Sequence, residues 1–169
     1  LMKVVSSYGV EIKKQNIPIR HTLYIYRQAV GYLIRVYEES WEELSRIVNL
    51  QKRFNAAEHL VHSTKKNRAR YDFDQRFPKM PSYLRRSAIQ HALGSVSSYE
   101  TRLELWKQKK LDGKPKLVYE NHAMPVFYRD VMYKEAEDQA DIAFLKLYDG
   151  RDWKWFPVNL LHTDMEYLR

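Results

Sequence analysis

Between Lys65 and Arg86 the sequence gathers eight cations, Lys65, Lys66, Arg68, Arg70, Arg76, Lys79, Arg85 and Arg86, against only Asp72 and Asp74. Eight less two is +6, most of the +8 carried by all 169 residues. Aromatic residues are interleaved with them: Tyr71, Phe73, Phe77 and Tyr83. Lysine and arginine neutralise phosphates, and aromatic faces stack on unpaired bases. Charge this concentrated points to a polyanionic ligand. The competing reading is a solvated loop whose aromatics anchor it to a core.

The end of this stretch poses an electrostatic problem. Ser82, after Pro81, has the form of a helix N-cap, and Arg85 and Arg86 fall in the turn that follows. Exposed N–H groups already make that end of a helix positive, so two cations there cost a few tenths to about 1 kcal/mol. A bound phosphate would reverse the penalty. On that reading Arg85 and Arg86 are exposed, Ile89 and Leu93 are buried, and both arginines can be removed without harm to the fold. The alternative is that they pair with an acid elsewhere.

Other chemistry is sparse. His59 and His62 in "EHLVH" are three apart without a third ligand, and read as ordinary helix histidines. "YKEAEDQAD" holds Glu135, Glu137, Asp138 and Asp141. Glu137 and Asp141 could share a helical face and hold a hard cation, but a solvated connector is the simpler reading. Neither a Ser/His/Asp order nor a glycine-rich phosphate loop is present. The chain has no cysteine, which excludes disulfides and thiolate zinc sites and fits a reducing compartment. No apolar run approaches 18 residues, and the start lacks a signal-peptide apolar region.

These residues need elements to position them. Tyr8, Val10 and Ile12 alternate, which predicts a strand over 3–13. After Pro18, the residues Leu23, Tyr26, Val30, Leu33, Tyr37, Trp41, Leu44 and Val48 step by three and four, as one long amphipathic helix does. Arg27 and Arg35 lie off that stripe. A second helix is predicted over about 50–64, with Phe54, Ala57, Leu60 and Val61 inward. An extended loop follows, then a helix from Ser82 with Ile89, Leu93, Val96, Tyr99, Leu103 and Trp106 as its stripe. Ala88, Ala92, Gly94 and Ser95 leave its surface low enough for another backbone to approach. Gly113 marks its end. Residues 115–120 and 124–134 have strand patterns, and Asp149-Gly150 between alternating aromatics predicts a type I′ hairpin. The expected fold class is α+β: a β domain from residues 1–16 and 113–169, with a helical insertion of about three helices over 17–112.

Three segments, "MPSYLRRSAIQHALGSVSSYETRLELWK", "GKPKLVYENHAMPVFYRD" and "FLKLYDGRDWKWFPVNL", resemble the N-terminal part of the TnpB (OrfB) family. That family comprises RNA-guided nucleases of insertion sequences, related to type V CRISPR effectors. The resemblance implies a wedge β-barrel with a helical recognition insertion. It implies guide RNA and double-stranded DNA as partners, no membrane, and a prokaryotic cytoplasmic setting. It places Tyr83, Arg85, Arg86 and Gln90 toward guide RNA or duplex, with most sequence specificity supplied by guide pairing. The family's G-[IV]-D-x-G-like strand, with its first metal-binding acid, is absent here, as are the cysteines of its zinc ribbon. The chain therefore reads as a fragment that binds nucleic acid without catalytic residues. Mg²⁺ and Zn²⁺ are expected only in the nuclease half of such a parent. Rival readings are a stand-alone DNA-binding regulator and a helical protein–protein module. The long Tyr- and Trp-rich helices fit the regulator poorly.

Overall fold

A computed structural model describes residues 10–13, 16–139 and 141–161. It is α+β: five helices and a small antiparallel sheet. Two compact units make up the chain, one from residues 20–126 and the other from residues 1–19 with 127–169.

In the first unit α1 (Ile19–Glu39) follows the three-and-four stepping of its apolar residues. Tyr26, Ala29, Val30, Leu33, Ile34, Val36 and Tyr37 are all buried. The predicted single helix breaks at Ser40. A short α2 (Trp41–Ser45) continues the direction of bonding, because Ser40 N–H still reaches the Val36 carbonyl and Leu44 N–H the Ser40 carbonyl. The stripe ends at buried Leu44; Val48, expected inside, is exposed. Asn49 then caps α3 (Leu50–Val61), its side chain accepting from Lys52 N–H at 2.9 Å. Ala57, Leu60 and Val61 are buried as the spacing requires, and Phe54 is half-buried.

The expected open loop is folded. Asn67 Nδ2 donates to the carbonyls of His59 and His62, and Thr64 and Asn67 form an isolated antiparallel bridge. A one-turn α4 (Phe73–Arg76) buries Phe73, and Phe77 and Met80 are buried after it. The rings of Phe73 and Phe77 lie 4.9 Å apart, and each packs on Tyr32 of α1. Anchoring is thus what two of the interleaved aromatics do.

Pro81, and not Ser82, is the N-cap of α5 (Ser82–Lys107), and no side chain caps this end. Leu84, Ser87, Ala88, Ile89, Ala92 and Val96 form its buried face. Leu93, Tyr99, Leu103 and Trp106 are only half-buried, so the stripe fades in the second half of the helix. Tyr26 and Ser87 share a buried hydrogen bond of 2.9 Å between α1 and α5, contributing about 1 kcal/mol net. Of the small residues predicted to lower this surface, Ala88 and Ala92 are fully buried, whereas Gly94 and Ser95 are exposed and a Cβ at Gly94 would meet nothing within 4 Å. Close approach occurs instead at Gly31 of α1, where a Cβ would lie 2.7 Å from the Tyr119 carbonyl oxygen.

That contact explains why residues 115–120 are not a strand. The segment is extended, but its partner is a helix. Asn121 Nδ2 donates to the Arg27 carbonyl at 3.1 Å, Arg27 Nε donates to the Ala123 carbonyl at 3.2 Å, and the Tyr119 hydroxyl donates to Glu38. Apolar alternation alone cannot distinguish these two environments.

In the second unit β1 (Tyr133–Glu135), β2 (Ile142–Tyr148) and β3 (Trp153–Asn159) form a meander in the order β1-β2-β3. Of the predicted strand 124–134 only its end pairs, because Tyr128–Tyr133 make a tight turn with Asp130 at φ 63°. Ala143, Val158 and Leu160 pack with Val10, Ile17, Tyr133 and Leu145. Ile12 bridges Leu160 antiparallel, with Lys13 N–H donating to the Asn159 carbonyl at 2.9 Å. The rest of the first predicted strand, residues 3–9, lies outside the described residues. Among those described, the sheet has three strands and does not close into a barrel. Its hairpin connection is four residues long, not two: Tyr148 pairs with Trp153, and Asp149 Oδ1 accepts from Arg151 and Asp152 N–H. The carboxylate organises this wider turn, with Gly150 at φ 99° inside it.

Candidate nucleic-acid interface

The ten positions singled out by sequence fall into three places. Lys65 and Lys66 occupy the tip of the Thr64–Asn67 turn, where the bridge and the Asn67 side chain hold the backbone. Arg68 follows. All three are exposed and have no ion-pair partner among the described residues. Arg70 also projects to solvent, but Glu43 of α2 receives it with two bonds of 2.8 and 3.3 Å. Those bonds hold its guanidinium more firmly protonated than usual. Lys79 is exposed, at φ 58°.

The second place is the start of α5. Tyr83, Arg86 and Gln90 are spaced three and four apart and are exposed together on one face. Arg85 is not with them. Its side chain is 11% exposed and its guanidinium reaches Glu58 of α3 at 3.4 Å. Arg86 approaches the other oxygen of Glu58 at 3.9 Å and lies over the Phe54 ring. The expectation that both arginines face solvent is corrected for Arg85. One carboxylate 27 residues upstream counters the charge that a helix N-terminus would otherwise resist. Arg85 Nε is buried without a hydrogen-bond partner among the described residues.

The third place is a cleft of about 860 Å³ along α1, and only Arg76 of the predicted residues lines it. Arg20, Tyr24, Arg27, Gly31 and Arg35 lie on one face of the helix, stepping by four, three, four and four. Tyr119 and Asn121 line the cleft too, seated by the contact at Gly31. Arg76 and Phe77 belong to the folded loop. Two guanidiniums are stacked on rings, Arg35 on Tyr119 at 4.8 Å and Arg76 on Tyr32 at 5.1 Å. Stacking fixes the guanidinium plane and leaves its N–H edge for an anion.

Two carboxylates beside the cleft, Asp72 and Glu38, are engaged, whereas Glu120, which lines it, has no partner among the described residues. Asp72 accepts from the Tyr32 hydroxyl at 2.6 Å and takes two bonds of 3.0 Å from Arg76 Nε. These bonds hold the Asp72 carboxyl below its usual range. Burial, and then the bond to Asp72, push the Tyr32 phenol up to about 12, so it remains a donor. Glu38 takes the Tyr119 hydroxyl and raises that phenol as well. Glu120 is the acid among the lining residues. Arg20 has no partner among the described residues, and Arg27 uses its head on a carbonyl and a thioether. The arrangement can bind a chain of anions, with aromatic surface between the cations.

The sequence signal for this row was its placement off the apolar stripe, at Arg27 and Arg35. What was missing was the wall that turns a helix face into a cleft. His62 pairs with Asp74 at 2.9 Å. No group of three or more His, Asp or Glu suited to a metal occurs among the described residues. No helix of the described residues is long and apolar enough to cross a membrane. Neither the curated proteins nor the solved structures contain a match to this chain. The model of the Aq_aa04 family matches residues 6–149, most of its length, and the chain belongs to the Aq_aa04 family.

Proposed function

We propose that this chain binds nucleic acid through its phosphate backbone and is the non-catalytic part of a TnpB-like RNA-guided DNA endonuclease. The observation that supports binding is the row Arg20–Arg27–Arg35 with Arg76 in one cleft, interleaved with Tyr24, Tyr32 and Tyr119. Arginine is suited to this use because its planar fork meets two phosphate oxygens at once. Lys65, Lys66 and Arg68 add a second patch. The exposed pairs Arg70–Glu43 and Arg76–Asp72 are weak enough for a phosphate to compete for.

The TnpB-like reading rests on the sequence resemblance. It assigns the helical unit to a recognition role and the β unit to a wedge role, with guide RNA and target duplex as partners in a prokaryotic cytoplasm. The family's barrel needs more strands than the three described. Chemistry in such a parent resides in its metal-binding nuclease half, so this chain contributes holding and orientation.

Retention on heparin, followed by titration of structured RNA and of DNA duplex across a salt series, tests the reading. Expected are late elution and log affinity falling linearly with log salt, by about 0.7–0.9 per neutralised phosphate. Passage through heparin at low salt, with neither nucleic acid bound, would remove the proposal.

A further inference from the structure

We infer that the α1 cleft takes a short single-stranded stretch of nucleic acid, with a base against Tyr24 and phosphates on Arg20, Arg27 and Arg35. This rests on the nucleic-acid reading above and narrows it to one strand form at one site.

Three observations carry it. The first is size. About 860 Å³ is the scale of a ligand pocket. A few nucleotides fill such a space, whereas a duplex would lie across its mouth and touch only its rim. The second is Tyr24. It is 65% exposed, has no polar partner among the described residues, and stands one turn from both Arg20 and Arg27. An aromatic face between two cations offers nothing to a duplex, whose bases are stacked inside. It offers a stacking surface to a base that has been splayed out. The third is length. From Arg20 to Arg35 the helix rises about 22 Å at 1.5 Å per residue, with the arginines roughly 10–12 Å apart. That spacing follows one extended strand without requiring a second.

The cleft is also largely built before any ligand arrives. The Tyr119 carbonyl rests on Gly31, and Asn121 and Arg27 lock the same segment to α1. Arg35 and Arg76 are held against their rings. A ligand that meets side chains already placed loses less ordering entropy on binding.

The test uses the full chain with a labelled 12-nucleotide oligo(U) and a labelled 12-base-pair RNA duplex, read by anisotropy across a salt series. The variants are Tyr24→Leu, Tyr24→Phe, Arg20→Gln and Arg35→Gln. None of these removes a hydrogen bond of the described fold, and an unchanged melting temperature checks that. Tyr24→Leu is expected to weaken oligo(U) about 5- to 150-fold, the range for losing one stacked base, with an unchanged salt slope. Tyr24→Phe should restore binding, and each arginine variant should lower the oligo(U) slope by about 0.7. Duplex affinity should not respond to Tyr24→Leu. Oligo(U) binding indifferent to Tyr24→Leu, or duplex binding equally reduced by it, overturns the inference while leaving nucleic-acid binding in place. Binding of neither probe overturns the broader reading as well.

Discussion

Arg85 of α5 and Glu58 of α3 face each other at 3.4 Å, with their side chains only 11% and 19% exposed. This pair makes a helix that begins with two arginines tolerable, and it ties two helices of the core. Glu58→Gln leaves a nearly buried guanidinium with a weaker partner. Removing one member of a buried pair costs about 3–5 kcal/mol when desolvation is complete. Here Glu58 keeps some water, so about 1–3 kcal/mol is expected. Arg86→Ala, at a half-exposed site, should cost under about 1 kcal/mol. Urea midpoints of the two variants check the order, and equal midpoints would show that the pair is not structural.

Gly31 and Gly94 provide a matched comparison. Both lie inside helices, and alanine in a helix interior is intrinsically better than glycine by about 1 kcal/mol. Gly94→Ala meets open space and should stabilise by up to that amount. Gly31→Ala drives a methyl group to 2.7 Å from a backbone oxygen. It should destabilise by about 1–3 kcal/mol, as overpacking does, and displace Tyr119 from the cleft. Thermal melts of the two proteins should therefore move in opposite directions.

Acid stability should depend on Asp72 and Asp149. The bonds from Tyr32 and Arg76 depress the Asp72 carboxyl, and Lys154 with the N–H groups of Asp152 and Arg151 depresses that of Asp149. A depressed carboxylate adds stability that is complete above the unfolded value, about 3.9, and is lost as pH falls through the folded value. Asp72→Asn and Asp149→Asn should each flatten the decline of the urea midpoint measured from about pH 5 to pH 2. A decline of unchanged steepness in both would assign it to other groups.

The turn at Lys65 and Lys66, with Arg68 after it, should act through charge alone. Replacing all three by glutamine should lower the salt slope of RNA binding by up to about two to three units, at roughly 0.7–0.9 for each phosphate no longer neutralised. The fall in affinity should be similar for RNAs of different sequence and the same shape, and the melting temperature should hold. A slope equal to wild type would make these lysine and arginine side chains solvated bystanders.

Local periodicity placed the helices, because a buried helix face must repeat every three to four residues wherever it lies. Buried Tyr26, Val30, Leu33 and Tyr37, and then Ile89 and Val96, follow directly from that requirement. The hairpin strands around Trp153 were legible for the same reason at period two, though the turn was not, since the Asp149 side chain decides its length. The excess of cations between residues 65 and 86 was countable, but which of them keep their charge available was not. Glu43 and Glu58 neutralise Arg70, Arg85 and Arg86 from 27 or 28 residues away, a separation with no local signature. The cleft is more distant still. Arg27 and Arg35 were visible as residues off the apolar stripe and Arg20 was not singled out, but the three line a cleft only because Tyr119 lies against Gly31, 88 residues earlier. A pattern along the chain records which face of an element avoids water. Which elements meet across that face is settled by packing, and the site exists only where they meet.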